Sequence, residues 1–255
     1  MSQAPLPDDP RMRGDLRRMT RRAFAFGGIA AIAGVGGLSW LQTRSAVQGL
    51  PWPFRWGLAV NETVGRALFS PTHLAPEFDP SMAGEPRVNG RHGWSETQPT
   101  AADWRLTIEA PGQPIRALSL ADLGTVPRSE STTELKCVEG WSQIVHWGGW
   151  RLADVLTAYG FLPPAGSPLQ YLRLATFDGG YTSALDLPSA LHPQTILCDS
   201  MNGAPLAAGH GAPLRLALPV KYGIKNIKWL AHILFQADRP TDYWTDRGYD
   251  WFAGL

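Results

Sequence analysis

Apolar and polar residues alternate along Trp104-Arg105-Leu106-Thr107-Ile108-Glu109, a period of two that predicts a strand with one buried face. The same alternation recurs in Tyr171 to Thr176 and in Leu214 to Leu218, and Ile227 through Phe235 predicts a further strand. Between the strands at 171–176 and 214–218, Asn202-Gly203 predicts a tight hairpin, because both residue types tolerate the positive φ such a turn needs. Helical spacing is rarer. Leu152, Val155, Leu156 and Tyr159 share one helix face, with Gly160 as the stop, and Ser119-Leu120-Ala121-Asp122 reads as a capping box opening a short helix. Strands outnumber helices and their order is irregular, so the expected class is α+β with mixed sheets.

The N-terminal region follows a different pattern. Residues 23–41 carry no charge and many small side chains, directly after Arg21-Arg22 in Thr-Arg-Arg-Ala-Phe. A basic stretch before an apolar one is an export signal, and the twin arginine points to the Tat route and a periplasmic destination. The apolar stretch is close to the ~20 residues that cross a hydrocarbon core. No Ala-x-Ala cleavage site is evident, since Arg44 stands two residues before Ala46. Removal and retention as a membrane anchor both stay open. Residues 1–45 are therefore set apart from the fold. Residues 46–103 are rich in Pro and Gly without sustained periodicity, yet contain Trp52, Phe54, Trp56, Phe69 and Trp94. They are expected to form an extended arm packing on a domain core at 104–255.

The chain of 255 residues is 44% hydrophobic and 18% charged, which leaves roughly 200 residues, enough for a sizeable core, once the leader is excluded. A net charge of +1, from 23 basic and 22 acidic residues, gives no long-range attraction to nucleic acid. Eleven tryptophans favour a Trp-rich core over an aromatic wall around a planar ligand. The two cysteines, Cys137 and Cys198, are open to four readings: a disulfide, shared metal binding, burial as inert thiols, or one reactive thiolate. No spacing supports a tetrahedral zinc site. For Cys198, in Ile196-Leu197-Cys198-Asp199, a buried inert thiol is favoured.

Candidate chemistry concentrates in two segments. In Glu134-Leu135-Lys136-Cys137-Val138-Glu139-Gly140-Trp141-Ser142 a cysteine stands beside a cation that would lower its pKa, and a thiolate ligates soft metals. On that segment alone a buried structural cysteine is the favoured reading. The second runs from His210-Gly211-Ala212-Pro213-Leu214-Arg215 to Val220-Lys221-Tyr222-Gly223-Ile224-Lys225-Asn226-Ile227-Lys228. Its lysines beside glycine-containing turns suit a phosphate cradle, or else a solvated basic edge strand. Together with Leu-His-Pro-Gln-Thr at 191–195, these segments resemble the sulfite oxidase–like molybdopterin enzymes. The resemblance covers roughly residues 100–255 and is greatest to the single-domain bacterial group that includes the periplasmic protein-methionine-sulfoxide reductase catalytic subunit.

The resemblance implies a sulfite oxidase-type molybdopterin-binding fold and a molybdenum–molybdopterin cofactor. Cys137 takes the place of the metal-ligand cysteine. His210, Arg215, Asn226, Ile227 and Lys228 match cofactor contacts, with Thr176 and Asn61 as further contact positions. The bacterial reductases carry asparagine where His210 stands, and sulfite oxidases carry histidine. After their cysteine, sulfite oxidases place basic residues for anionic sulfite. Here Val138, Glu139, Gly140 and Trp141 follow, favouring a neutral or larger, sulfoxide-type substrate admitted past Trp141 and His146. His146 itself reads as a wall residue more than a proton donor, and Glu139 as an acid or an ion-pair partner of Lys136. The family's C-terminal dimerisation domain has no counterpart before Leu255, so a monomer is expected. Without a haem motif, electrons are expected from a separate cytochrome, by family analogy a membrane cytochrome b or a soluble cytochrome c. A non-catalytic extracytoplasmic binding protein without metal, or a structural domain stapled by a Cys137–Cys198 disulfide, are the rival expectations.

Overall fold

The computed structural model describes residues 27–47, 50–85, 87–96 and 98–255, in two compact units, Met1–Arg55 and Trp56–Leu255. The twin arginine lies outside the described residues. In the first unit a helix over 27–42 (α1) is followed by a two-strand antiparallel pair, β1 (Ala46–Val47) and β2 (Leu50–Pro51). The Trp40 and Trp52 rings meet edge to face at 6.2 Å. Among the described residues no helix is long and apolar enough to cross a membrane.

The chain then forms a helix where an extended arm is expected. α2 spans Trp52–Leu68. Pro53 sits in its first turn, where the missing N–H costs nothing. None of its residues is fully buried. Past Phe69 the chain is mostly irregular to residue 103, with one 3-10 turn at Pro80–Met82.

The second unit holds two five-stranded sheets. One has β10 (Ala204–Pro205), β9 (Ile196–Met201), β6 (Ser142–Arg151) and β5 (Ser129–Lys136) in that order, with β11 (Arg215–Ala217) also on β9. The other runs β4 (Arg116–Leu118), β3 (Leu106–Glu109), β12 (Leu230–Gln236), β7 (Tyr171–Thr176), β8 (Thr182–Asp186). β12 pairs parallel with β3 and antiparallel with β7, so this sheet is mixed. Leu106, Ile108, Leu172, Leu174, Leu216 and Ile233 come from strands of both sheets and join one core.

Local expectations hold where turn chemistry is strong. Ser119 and Asp122 form a reciprocal capping box on α3 (Leu120–Leu123). α4 (Leu152–Ala158) buries Leu152, Val155 and Leu156, and Gly160 follows at φ +75°. A further short helix, α5 (Leu187–Ala190), follows β8. Asn202 and Gly203 adopt φ +51° and +76° between β9 and β10, as a type I′ turn requires. The strand expected from Ile227 starts only at Leu230. Trp229 has φ +53°, which breaks the extended run and leaves Ile227 and Lys228 in a loop.

Candidate functional site

β5 and β6 pair in register from Ser129↔Gly149 to Lys136↔Ser142, and the loop joining them starts at Cys137. Cys137 N–H donates to Trp141 O at 2.9 Å, Gly140 N–H donates to Cys137 O at 3.1 Å, and Gly140 takes φ +86°. This closed loop holds the thiol at a fixed position on the wall of an open cavity.

The second segment lines the same cavity. Arg215 opens β11, and a 3-10 turn (Gly223–Lys225) leads into Asn226, Ile227 and Lys228. Gly223 lies so close to the hairpin that a Cβ there would stand 3.4 Å from Lys136 O and 3.8 Å from Cys137 Cα. Cys137, His210, Arg215, Asn226, Ile227 and Lys228 therefore line one cavity, although up to 91 positions separate them in the chain. Asn226 spends its side chain on the loop. Its Oδ1 accepts from Leu218 N–H at 2.7 Å and its Nδ2 donates to Tyr222 O at 3.2 Å.

Two expected contacts fall elsewhere. Asn61 sits on α2 and lines a different cavity, with Val64, Leu68 and Phe252. Thr176 is fully buried. Its Oγ1 donates to Asp178 Oδ1 at 2.9 Å and accepts from Tyr181 N–H at 3.2 Å. Thr176 thus anchors the turn that carries Tyr181, and it is Tyr181 that reaches the cavity. The Leu191–Thr195 segment also turns from the site. His192 Nε2 is 3.2 Å from His73 O, and Gln194 bonds both backbone groups of Ala75, so this segment pins the irregular chain before β3.

That pinned chain supplies what sequence reasoning misses. Phe78 N–H donates to Thr132 O and Gly84 N–H to Ile144 O, which lays residues 78–84 along the hairpin and delivers Arg87, Asn89 and His92 to the cavity. Asn89 Nδ2 lies 3.7 Å from Cys137 Sγ and 3.5 Å from Glu139 Oε2. No local pattern marks Asn89, because its partner stands 48 positions away.

The electrostatics correct two expectations about the cysteine. Lys136 does not lower its pKa. It pairs with Glu134 at 3.6 Å, since residues two apart on a strand share a face. Burial and the nearby Glu139 carboxylate push the Cys137 thiol upward instead, against opposing backbone hydrogen bonds. Nor does Glu139 pair with Lys136. Its Oε2 accepts from Trp141 Nε1 at 2.9 Å. His146 does not flank the entrance either. It lies within β6, with Nδ1 2.8 Å from Thr132 Oγ1 and Nε2 3.6 Å from Glu130.

Elsewhere in the cavity lining the charge is positive and poorly compensated. Arg215 is buried. Its Nη1 donates to His210 O at 3.0 Å, and its guanidinium lies 4.7 Å from the Trp147 ring centroid. Its Nε has no partner in the protein, and burial pushes its pKa down to about 10. Burial, with Arg215 nearby, brings Lys228 down to about 8. The Lys228 ammonium donates to the carbonyls of Asn89, Gly90 and Gly209 at 2.8, 2.8 and 3.1 Å, so it is a positioned charge with its protons already committed. Burial and the same two cations lower His210. An orphaned buried guanidinium donor facing a cavity calls for an anionic ligand.

Aromatic residues close the site. Tyr243, Trp244 and Tyr249 stack in sequence at 5.2 and 5.0 Å, Tyr181 lies 5.1 Å from Tyr243, and Trp141 lies beneath the Arg87 guanidinium at 5.0 Å. Trp104, Trp147, Trp150, Trp229 and Trp251 are core residues, so the tryptophans serve the core more than the wall. Both cysteines are free thiols, which overturns the disulfide-stapled reading. Cys198 is fully buried, with its pKa pushed up to about 12 by burial. Among the described residues no group of three or more His, Cys, Asp or Glu gathers to hold a metal, so a metal at Cys137 needs most of its ligands from a cofactor.

A family model described as the oxidoreductase molybdopterin binding domain matches residues 92–244. The chain is 32% identical over 240 residues to a protein named as protein-methionine-sulfoxide reductase subunit YedZ1 of Azospira oryzae, covering 93% of this chain and 87% of that one. It is 31% identical over 172 residues to the protein-methionine-sulfoxide reductase catalytic subunit MsrP of Xanthomonas campestris, and 30% identical over 154 residues to MsrP of Campylobacter jejuni. These matches cover 60% and 56% of this chain, which spans about half the length of each MsrP, 53% and 52%. The crystal structure of the sulfane dehydrogenase SoxCD from Paracoccus pantotrophus shares the fold, with TM-score 0.50 and 20% identity over 55% of this chain and 40% of that one.

Proposed function

The chain belongs to the oxidoreductase molybdopterin-binding family, with a molybdenum–molybdopterin cofactor, and from that premise we propose that it is a cell-envelope reductase of sulfoxide-type substrates fed by a separate cytochrome. The observation that carries this reading is that one thiol, Cys137, and an orphaned buried guanidinium, Arg215, line one cavity. When bound, the cofactor supplies two-electron redox chemistry with transfer of an oxygen atom.

The residues divide the remaining work. Cys137 offers a single thiolate, held by its closed loop and approached by the Asn89 amide. Arg215 and His210 would hold the anionic part of the cofactor, while Lys228 adds charge and clamps residues 89–90 to Gly209. Glu139 and Trp141 line the side nearest the thiol, where a carboxylate repels anions such as sulfite and an indole face accepts a thioether group. Tyr181, Trp244 and Tyr249 restrict water. The sulfoxide reading is supported by this wall and by the names of the relatives; the envelope reading by the twin arginine and the apolar stretch behind it.

The test is molybdenum content and sulfoxide turnover with a reduced artificial donor, on protein from a host that makes the cofactor. One molybdenum per chain with turnover upholds the proposal. Metal without turnover on any sulfoxide removes the substrate assignment, and no metal at all favours a binding protein that kept the fold.

Arg215→Met gives an independent check through two readouts of opposite sense. It removes a buried cation that has no carboxylate partner, so the cofactor-free protein is expected to melt no lower than wild type. Cofactor affinity is expected to fall about 10- to 100-fold, the size of one charge-assisted hydrogen bond. Titration of cofactor-free protein with molybdopterin, beside a thermal melt, measures both. Unchanged affinity would remove Arg215 from the cradle.

A further inference from the structure

α2 is amphipathic the wrong way round. A surface helix ordinarily turns its apolar stripe to the core and its charges to water. Here Trp52, Trp56, Val60, Val64 and Leu68 recur every four residues along one outer band, with exposures from 45% at Trp52 and Val60 to 76% at Leu68. The inner face carries the charges. Glu62 accepts from Arg66 at 3.0 Å and from Arg239 at 2.6 Å, and Arg66 also reaches Asp186 at 3.7 Å and the Trp251 ring at 5.1 Å. Gly65 on the same face fits directly against Phe252. The ion pairs and the glycine fix which face is inward, so the outward apolar band is built into the fold.

We infer that the outer face of α2 lies in the interface of an anionic phospholipid bilayer, holding the catalytic unit against the membrane surface. Four observations favour lipid over a protein groove. The preceding helix over 27–42 has no charged residue and is exposed on every side from 27 to 40, which suits a solvent of acyl chains and not a one-sided groove. Only residues 43–51 separate it from α2 in the chain. Residues 1–55 carry eight arginines against three aspartates, a surplus of five on a chain whose total is +1, and such a basic segment is attracted to anionic headgroups. Trp52 and Trp56 at the start of α2 are the residue type that settles at headgroup depth.

The inference goes beyond the redox reading and is independent of it, because membrane contact is measured on protein with or without cofactor. Hydrogen–deuterium exchange of the full chain is compared with and without vesicles of phosphatidylglycerol and phosphatidylethanolamine. Amides of 52–68 are expected to slow about tenfold or more on vesicles. The double variant Trp56→Glu, Val60→Glu is expected to abolish that slowing. Both side chains are exposed and line neither cavity, and a melting curve matching wild type confirms the fold is kept. Slowing at 27–42 with no change at 52–68 would overturn the inference. So would slowing at 52–68 that appears without lipid as protein concentration rises, which would assign the face to a second copy of the chain.

Discussion

Cys137→Ser is expected to lower sulfoxide turnover by more than about 100-fold, since loss of residues that merely support a metal ligand already costs 10- to 100-fold. A serine hydroxyl gives up its proton far less readily than a thiol and is a harder donor, poorly matched to a metal that prefers sulfur. No substitute thiol is at hand, because Cys198 is buried on β9 with its pKa pushed up to about 12. The cradle of Arg215 and His210 is untouched, so metal content is expected to survive better than turnover. The thiolate-to-metal absorption should vanish with the activity. Optical spectra and steady-state rates on metal-matched protein decide the matter. Turnover within a few-fold of wild type, with an unchanged spectrum, would remove Cys137 from the metal.

Asp242→Ala is expected to destabilise the fold by about 3–5 kcal/mol, because it strands a buried ammonium. Lys225 is 1% exposed and its Nζ lies 2.5 Å from Asp242 Oδ2. Burial pulls the Lys225 pKa down, and Asp242 opposes this. The same carboxylate accepts from Ala184 N–H at 3.2 Å and Thr245 N–H at 2.9 Å, so two backbone donors lose their acceptor as well. In a domain of this size the loss corresponds to a melting temperature lower by about 6–20 °C. Adding Lys225→Met removes the stranded charge and is expected to restore much of the stability. Thermal melts of the two variants test this, and equal destabilisation in both would show that the stranded backbone donors, not the ion pair, carry the effect. The Gly223–Lys225 turn abuts Cys137 Cα, so this pair also steadies one wall of the site.

How far the site was legible varied with sequence distance. Cys137 and the His210–Lys228 run declared themselves because each is a short segment with unusual neighbours. Their meeting in one cavity followed from a resemblance and not from either segment alone. Lys136 misled, since adjacency in sequence suggests proximity while strand geometry sends neighbours to opposite faces and pairs Lys136 with Glu134. Asn89 and Arg87 were invisible because they lie in an irregular stretch positioned by Thr132, Ile144 and Gln194 from remote strands. Thr176 looked like a ligand contact by position, yet its hydroxyl is consumed by Asp178 and Tyr181 within its own turn.

The sequence by itself determined the elements whose causes are local. The capping box at Ser119, the apolar face of α4, the type I′ turn at Asn202-Gly203 and the alternation in β7 each depend on residues a few positions apart. Only the tertiary structure decided which groups face one another. It moved Asn61 to another cavity, brought Asn89 to the thiol, left Arg215 Nε without a partner, and turned the apolar band of α2 outward. The reason is physical. Turn and cap energies act over one or two turns of chain, whereas the face an element buries is set by what packs against it, and for α2 that is Arg239, Phe252 and Asp186, more than a hundred residues downstream.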